Sequence, residues 1–171
     1  MQYRGQAVAL SGGGFAVSWS SWQNGHPLEG VPDNDVYMRV YDAAGVAQGG
    51  EVLVSHDATG LELLYDVAAL TGSGFGTLFN HGEDNGAGAG LDIRRYDASG
   101  AETGTLAHID MKVSFNTHAS VTGLSGGGYV VVWDNGDGSN GSPVGIVAQM
   151  FDAEGNMIGP RLSIAPGGMI G

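Results

Sequence analysis

The chain repeats one pattern three times at a fixed spacing. Residues 35–45, 90–100 and 145–155 align, and each segment ends in an aromatic residue followed by Asp, two residues and Gly. The aromatic residues Tyr41, Tyr96 and Phe151 are 55 residues apart at each step. A period of this size is typical of propellers, solenoids and other arrays of one supersecondary unit. We number the three units repeats 1, 2 and 3.

Each repeat contains four short segments with strand character. The second segment is the clearest, because Phe15, Val17 and Trp19 alternate with smaller residues, and such alternation predicts a half-buried strand. A glycine turn precedes this segment, and the Asp-x-x-Gly turn follows the third segment. We interpret Trp19 and Trp133 as core residues. The predicted strands are 6–10, 15–19, 36–41 and 51–54 in repeat 1, 66–70, 75–79, 91–96 and 105–108 in repeat 2, and 120–124, 129–133, 146–151 and 161–164 in repeat 3.

Four strands per repeat predict an all-β fold of three four-stranded antiparallel propeller blades. The blades would be 2–56, 62–110 and 116–166, within a single repeat domain over 1–171. Three blades cannot close a ring, since propellers have about four to eight. We therefore expect half of a six-bladed β-propeller, completed by self-association as a homodimer, or a fragment of a longer array. An irregular β-sandwich or β-solenoid is the alternative fold.

Composition excludes several classes of function. The net charge of −12 disfavours nucleic acid as a partner, because phosphates would be repelled. The absence of Cys excludes disulfides, thiolate nucleophiles and Cys-ligated metals. No apolar stretch reaches the roughly 20 residues of a membrane span, and the first residues do not have the pattern of a signal peptide.

The loops between the second and third strands vary among the repeats, so we place the candidate binding residues there. Each loop carries several side-chain oxygens, and Ca²⁺ takes 6–8 oxygen ligands. The clearest pattern is Asp134-x-x-Asp137-Gly138-x-Asn140. A solvated polar loop is the competing interpretation. The candidate Ca²⁺ ligands are Asp33, Asp84, Asp134, Asp137 and Asn140.

A second group of residues has the chemistry of a sugar site. Trp22 lies outside the alternating pattern, and an exposed Trp offers a flat apolar face to a sugar ring. Arg39 and Arg94 occupy equivalent repeat positions, and could bind carboxylates or sulfates of an acidic polysaccharide, or form structural ion pairs. The candidate ligand-binding residues are Trp22, Asn24, His26, His81, Arg39 and Arg94.

Signatures of catalysis are few. The glycine-rich runs lie between strands as hairpin turns, so they do not form phosphate loops. If the protein is an enzyme, we expect His26, His81 and Glu83 to supply acid–base or metal chemistry. A carboxylate pair such as Glu29 and Glu83 would require a suitable separation.

Repeat 3 resembles a known tandem repeat. Ser125-Gly126-Gly127-Gly128-Tyr129-Val130-Val131-Val132-Trp133, the Asp/Gly-rich stretch 134–139 and residues 146–155 are similar to repeats of large secreted bacterial proteins of the haemolysin-type (RTX-like) calcium-binding class. The resemblance implies an extracellular or cell-surface location, adhesin-like or polysaccharide-associated biology, and frequent use of calcium. The glycine-rich nonapeptide that binds calcium in that class does not occur in this chain.

Three functions follow as expectations. The first is a calcium-assisted carbohydrate-binding or adhesion module of a secreted bacterial protein, with a polysaccharide or glycan as its partner. The second is an enzyme that acts on a polysaccharide or a small molecule through a His/carboxylate site on the propeller face. The third is a purely structural repeat unit that associates only with itself.

Overall fold

A computed structural model describes residues 1–23, 33–55, 62–72, 74–81, 90–104, 107–110, 118–136 and 143–166. These residues form twelve strands and contain no helix. The strands are β1 (Gln2–Ala9), β2 (Phe15–Gln23), β3 (Asp33–Tyr41), β4 (Val52–Leu53), β5 (Leu64–Ala69), β6 (Phe75–His81), β7 (Gly90–Tyr96), β8 (Ala107–Asp110), β9 (Ala119–Gly123), β10 (Tyr129–Gly136), β11 (Pro143–Phe151) and β12 (Met157–Pro166).

The strands pair into three four-stranded antiparallel sheets, one for each repeat. Sheet 1 has the order β1-β2-β3-β4, sheet 2 the order β5-β6-β7-β8, and sheet 3 the order β9-β10-β11-β12. Neighbours in sequence are neighbours in the sheet, so each repeat is a simple meander. The all-β class and the four strands per repeat are confirmed. Each predicted strand overlaps an observed one, and the second and third strands of repeats 1 and 3 are longer than predicted.

The two faces of each sheet carry different side chains, because alternate residues point to opposite sides. In β2 and β3, Ala16, Val36 and Met38 are buried, while Val17 and Trp19 are only half-buried. The first core cluster joins the Ala16 face of sheet 1 to the Phe75 face of sheet 2. The second joins the Leu78 face of sheet 2 to sheet 3. Sheet 2 is therefore covered on both sides.

The prediction for Trp19 needs correction. Trp133 is buried in the second core cluster, as expected, but Trp19 lies half-buried on the outer face of sheet 1. The pattern of alternation identifies one face of a strand. Whether that face is covered depends on a neighbouring sheet, and this chain places no described sheet in front of sheet 1.

The Asp-x-x-Gly turns have the structure that the sequence predicted. Asp152 Oδ1 accepts hydrogen bonds from the backbone N–H groups of Glu154 and Asn156, at 3.0 and 2.8 Å. Asp42 and Asp97 make the equivalent pairs of bonds in their turns. Gly45, Gly100 and Gly155 all have positive φ, which explains why glycine recurs there. The three aspartates therefore have a structural role, which is to stabilise these turns.

The turns predict a dependence of stability on pH. The Ser99 side chain lowers the pKa of Asp97, and the Asn156 side chain lowers the pKa of Asp152, with backbone bonds adding to both. A lowered folded-state pKa stabilises the fold above the unfolded-state value of about 3.8. This stabilisation is lost as the pH falls through the folded-state pKa.

We therefore expect the melting temperature of the wild type to drop as the pH falls below about 3.8. The melting temperature of a variant with Asp97→Asn and Asp152→Asn should fall less over the same pH interval, because neither amide titrates there. Thermal unfolding of both proteins, followed by circular dichroism between pH 6 and about 2.5, measures the two melting temperatures. Parallel curves for the two proteins would contradict the prediction.

Candidate functional site

A buried carboxylate lies between two histidines at one end of sheet 2. The side chain of Asp92 in β7 is only 2% exposed. His108 in β8 donates from Nδ1 to Asp92 Oδ1 at 2.5 Å, and His81 Nδ1, at the end of β6, lies 3.2 Å from Asp92 Oδ2. Asp110 Oδ1 lies 3.2 Å from Nε2 of His108. We call His81, Asp92, His108 and Asp110 the Asp92 cluster.

Strand register brings the Asp92 cluster together. Asp92 pairs with His108 across β7 and β8, and His81 pairs with Gly90 across β6 and β7. A Cβ atom on residue 90 would lie 2.7 Å from Cε1 of His108, so glycine at this position leaves room for the imidazole ring. The two imidazole rings meet edge to face at 5.9 Å. The cluster is thus a feature of the sheet itself.

A buried carboxylate is costly unless hydrogen bonds satisfy it. Asp92 is next to Phe79 in the strand pairing and shares the face of sheet 2 that packs on sheet 1. The Nδ1 atoms of His81 and His108 are the partners of this carboxylate. The contacts in turn hold the two imidazole rings in a fixed orientation. With 42% of its side chain exposed, His81 presents the opposite edge of its ring, which carries Nε2, away from the carboxylate.

The exposed Trp22 lies at the same end of the neighbouring sheet. Trp22 is the last but one residue of β2, and its side chain is 41% exposed. The regular pairing of β2 with β3 places Trp22 on the face that contains Ser18 and Ser20, which packs against sheet 2. His81 lies on the face of sheet 2 that packs against sheet 1. The two side chains therefore belong to facing surfaces at equivalent strand ends. Trp22 is exposed, as expected, but belongs to a strand.

The remaining candidate residues are placed differently. Arg94 forms an ion pair with Glu102 of its own sheet at 2.7 Å. Arg39 donates from Nε to the carbonyl of Gly49 at 3.0 Å, and its guanidinium lies over the Tyr41 ring. Both arginines thus contribute to their own repeat. Asn24, His26, Glu29, Glu83, Asp84, Asp137 and Asn140, and the side chain of Asp33, lie outside the described part of the chain.

Asp134 has a structural role that sequence reasoning did not identify. Its two carboxylate oxygens accept from the backbone N–H of His118 at 3.0 and 3.1 Å, and Oδ2 lies 3.0 Å from Nδ1 of His118. Asn80, the equivalent residue of repeat 2, accepts the backbone N–H of Leu63 in the same way. Both side chains attach the start of the first strand to the end of the second.

Sequence reasoning missed Asp92, Asp110 and the role of His108. The available signal was position: Asp92 occurs where the other repeats have Tyr37 and Val147. A charged residue at an otherwise apolar repeat position is not required by the scaffold. Within the described ranges, no three His, Asp or Glu side chains are arranged to hold a metal ion. In the Asp92 cluster, the nitrogens and oxygens face one another as hydrogen-bond partners.

No protein-family model matches the chain, and no curated protein matches it significantly. Among solved structures, the chain is similar to a glycosyl hydrolase from Bacteroides ovatus, with a TM-score of 0.48 and 12% identity. The similarity covers 96% of this chain, which spans 51% of that protein's chain. Similarity at this level carries no argument about the site.

None of the described segments forms a helix long and apolar enough to cross a membrane.

Proposed function

We propose that the protein is a carbohydrate-binding or adhesion module that holds a glycan at the common end of sheets 1 and 2. The observation that carries the proposal is the placement of an exposed indole, Trp22, and an oriented imidazole, His81, on facing surfaces at equivalent strand ends. A sugar offers an apolar ring face and a rim of hydroxyls. The indole matches the ring face, and the imidazole Nε2 and the Asp110 carboxylate match the hydroxyls.

We further propose that the three sheets are consecutive blades of a β-propeller. Each sheet is a four-stranded meander, and each packs face to face on the next. Asp66 of β5 supports this arrangement, because its Oδ2 accepts from Ser120 Oγ at 2.6 Å and from the Val121 N–H at 2.9 Å in β9. First strands that join across sheets are expected when blades are arranged about a common axis.

Calcium assistance and an extracellular location remain parts of the proposal that rest on the resemblance and on the acidic loops. The carboxylate of Asp134 is already used by His118, so this residue fits a Ca²⁺ site poorly. The other candidate Ca²⁺ ligands are Asp33, Asp84, Asp137 and Asn140, all in or next to the variable loops.

The ligand test uses two variants and one control. After a glycan array identifies a bound oligosaccharide, we expect Trp22→Ala and His81→Ala each to weaken its affinity at least about 30-fold, as loss of a central contact does. His118→Ala is the control, since that histidine also pairs with an aspartate but its side chain is 88% exposed and lies on sheet 3. Isothermal titration calorimetry with the oligosaccharide, in the presence of Ca²⁺ and again in the presence of a chelator, measures the affinities of the wild type and the three variants. Equal affinities for the variants and the control would refute the site.

Acid–base catalysis on the same ligand is the second candidate. A carboxylate that fixes an imidazole is the arrangement that orients a general base, and the distance of 3.2 Å between His81 Nδ1 and Asp92 Oδ2 supports it. If this function is correct, the wild type should convert the bound oligosaccharide to product, and His81→Ala should abolish conversion. A binding module would leave the oligosaccharide intact after prolonged incubation.

A further inference from the structure

The outer faces of sheets 1 and 3 are largely apolar, and no described sheet of the chain packs on either of them. We call the outer face of sheet 1 the first face; it contains Phe15, Val17, Trp19, Tyr37, Arg39 and Tyr41, all half-buried. We call the outer face of sheet 3 the last face; it contains Val130, Val132, Ile146, Met150, Ile158 and Leu162, of which the last two are 48% and 43% exposed. Apolar faces of this kind mark interaction sites in soluble proteins.

Inside the chain, the equivalents of the first face are covered. Phe15 stacks on Tyr41 with ring centroids 4.9 Å apart, and the equivalent pairs are Phe75 with Tyr96 and Tyr129 with Phe151. The pairs of repeats 2 and 3 are at most 1% exposed, because the preceding sheet packs on them. The first face is thus built for a preceding sheet of the same kind.

The equivalents of the last face are covered in turn by the following sheet. Ile146 and Val132 occupy the repeat positions of the buried Leu91 and Leu78 in sheet 2. The last face also has an open groove of about 410 Å³, with Val132, Asp134 and Ile146 in its lining. Among the described residues, no sheet packs on the last face in the way that sheet 3 packs on sheet 2.

The covered interfaces show which side chains should meet. Ser18 Oγ of sheet 1 lies 3.4 Å from Thr77 Oγ1 of sheet 2. Val132 is the repeat equivalent of Ser18, and Val17 is the equivalent of Thr77. Val132 of the last face should therefore contact Val17 of a first face.

The turns give a second, independent contact. A Cβ on Gly100 would lie 3.1 Å from Val40, and one on Gly155 would lie 3.3 Å from Arg95, so each turn receives a side chain of the preceding sheet. Met150 is the repeat equivalent of Val40 and Arg95. By the same pattern, Met150 should pack on the turn of Gly45, the repeat equivalent of Gly100 and Gly155. A Cβ at Gly45 would have nothing within 4 Å, so this turn has room for such a side chain.

We infer that a second copy of this chain covers both faces, so that two chains close a ring of six sheets by two-fold symmetry. The last face of each copy packs on the first face of the other and continues the interfaces that already join sheets 1, 2 and 3. Two identical contacts complete the ring and leave no face open. The inference rests on the proposed blade arrangement but not on any glycan.

Solution mass is the first test. Sedimentation equilibrium should give about twice 17.4 kDa for the wild type. Val17→Lys and Val132→Glu should each give monomers, with a dissociation constant raised at least about 100-fold, because each places an unpaired charge in both contacts. Ala101→Glu is the control, since Ala101 is exposed on a turn of the covered middle sheet. Circular dichroism establishes that each variant is folded.

Mixing the two monomeric variants tests the pairing of unlike faces. A mixed ring has one unaltered contact and one in which the introduced lysine meets the introduced glutamate, so dimers should reappear. If instead two first faces paired with each other, Val132→Glu would remain dimeric and mixing would restore nothing. That result, a monomeric wild type, or an open assembly larger than a dimer would overturn the inference.

Cross-linking supplies a test that does not depend on disruptive charges. The chain has no Cys, so a variant with Val17→Cys and Val132→Cys introduces the only thiols. Oxidation should give a covalent dimer on denaturing gels, and neither single variant should be linked through this contact. Absence of a covalent dimer from the double variant would also overturn the inference. Glycan binding enters none of these measurements, so failure of the proposed function would be distinguishable.

Discussion

Phe75→Ala is expected to lower the free energy of unfolding by about 3–5 kcal/mol, the usual cost of removing a buried Phe. Phe75 is fully buried between sheets 1 and 2, where it stacks on Tyr96 at 5.4 Å and contacts the first core cluster. Its removal would leave a cavity against side chains from two sheets. Denaturant unfolding followed by tryptophan fluorescence measures the change.

Phe15→Ala is the matched control, because it makes the same substitution at the same repeat position. Phe15 stacks on Tyr41 but is half-buried, so in a monomer its loss should cost about 1–2 kcal/mol, in proportion to the smaller area that it hides from water. The comparison should use Val132→Glu as the background, where the inferred second copy is absent. Equal costs for the two substitutions would show that the first face is covered within one chain.

His108→Ala is expected to destabilise the protein by about 2–4 kcal/mol at neutral pH, because an unsatisfied charged group in an interior carries a penalty of this order. The substitution leaves the buried carboxylate of Asp92 without its shortest hydrogen bond. His118→Ala is the control, since it breaks another His–Asp contact whose imidazole is 88% exposed. Exposed pairs contribute about 0–1 kcal/mol, so that variant should unfold almost like the wild type.

A second substitution separates the lost hydrogen bond from lost packing. When Asp92→Leu is added to His108→Ala, the carboxylate that needed a partner is gone, and a large part of the stability should return. If the double variant is no more stable than His108→Ala alone, lost packing of the imidazole accounts for the destabilisation by His108→Ala. Equal destabilisation by His108→Ala and His118→Ala would show that burial of Asp92 does not determine the cost.

Much of the fold could be predicted because its signals are local. The turn at Asp152–Gly155 depends on bonds between an Asp side chain and the next few backbone N–H groups, and a left-handed conformation that favours glycine. Alternation in 129–133 reflects the two faces of a strand. Such signals can be recognised within a few residues, and their recurrence at 55-residue intervals identified the repeat.

The candidate site could be predicted only in part, because its residues are brought together by strand register. His81 was a candidate from its position after the second strand of repeat 2. Asp92 and His108 are 11 and 27 residues further along, and only the pairing of β6, β7 and β8 places them beside it. Arg94 and Asp134 had suitable chemistry for ligands, but short-range partners, Glu102 and His118, occupy them.

The sequence by itself determined the repeat, the strands and the turns, since each depends on neighbours along the chain. The tertiary structure decided which faces are buried, because burial requires a second sheet at the right distance. Phe15, Phe75 and Tyr129 share one pattern, yet within the part of the chain that the structure describes, a preceding sheet covers Phe75 and Tyr129 and none covers Phe15. It also decided that Asp92 would be a buried carboxylate held by two imidazoles. The cost of removing a charge from water depends on what surrounds it in space, and order along the chain does not record that.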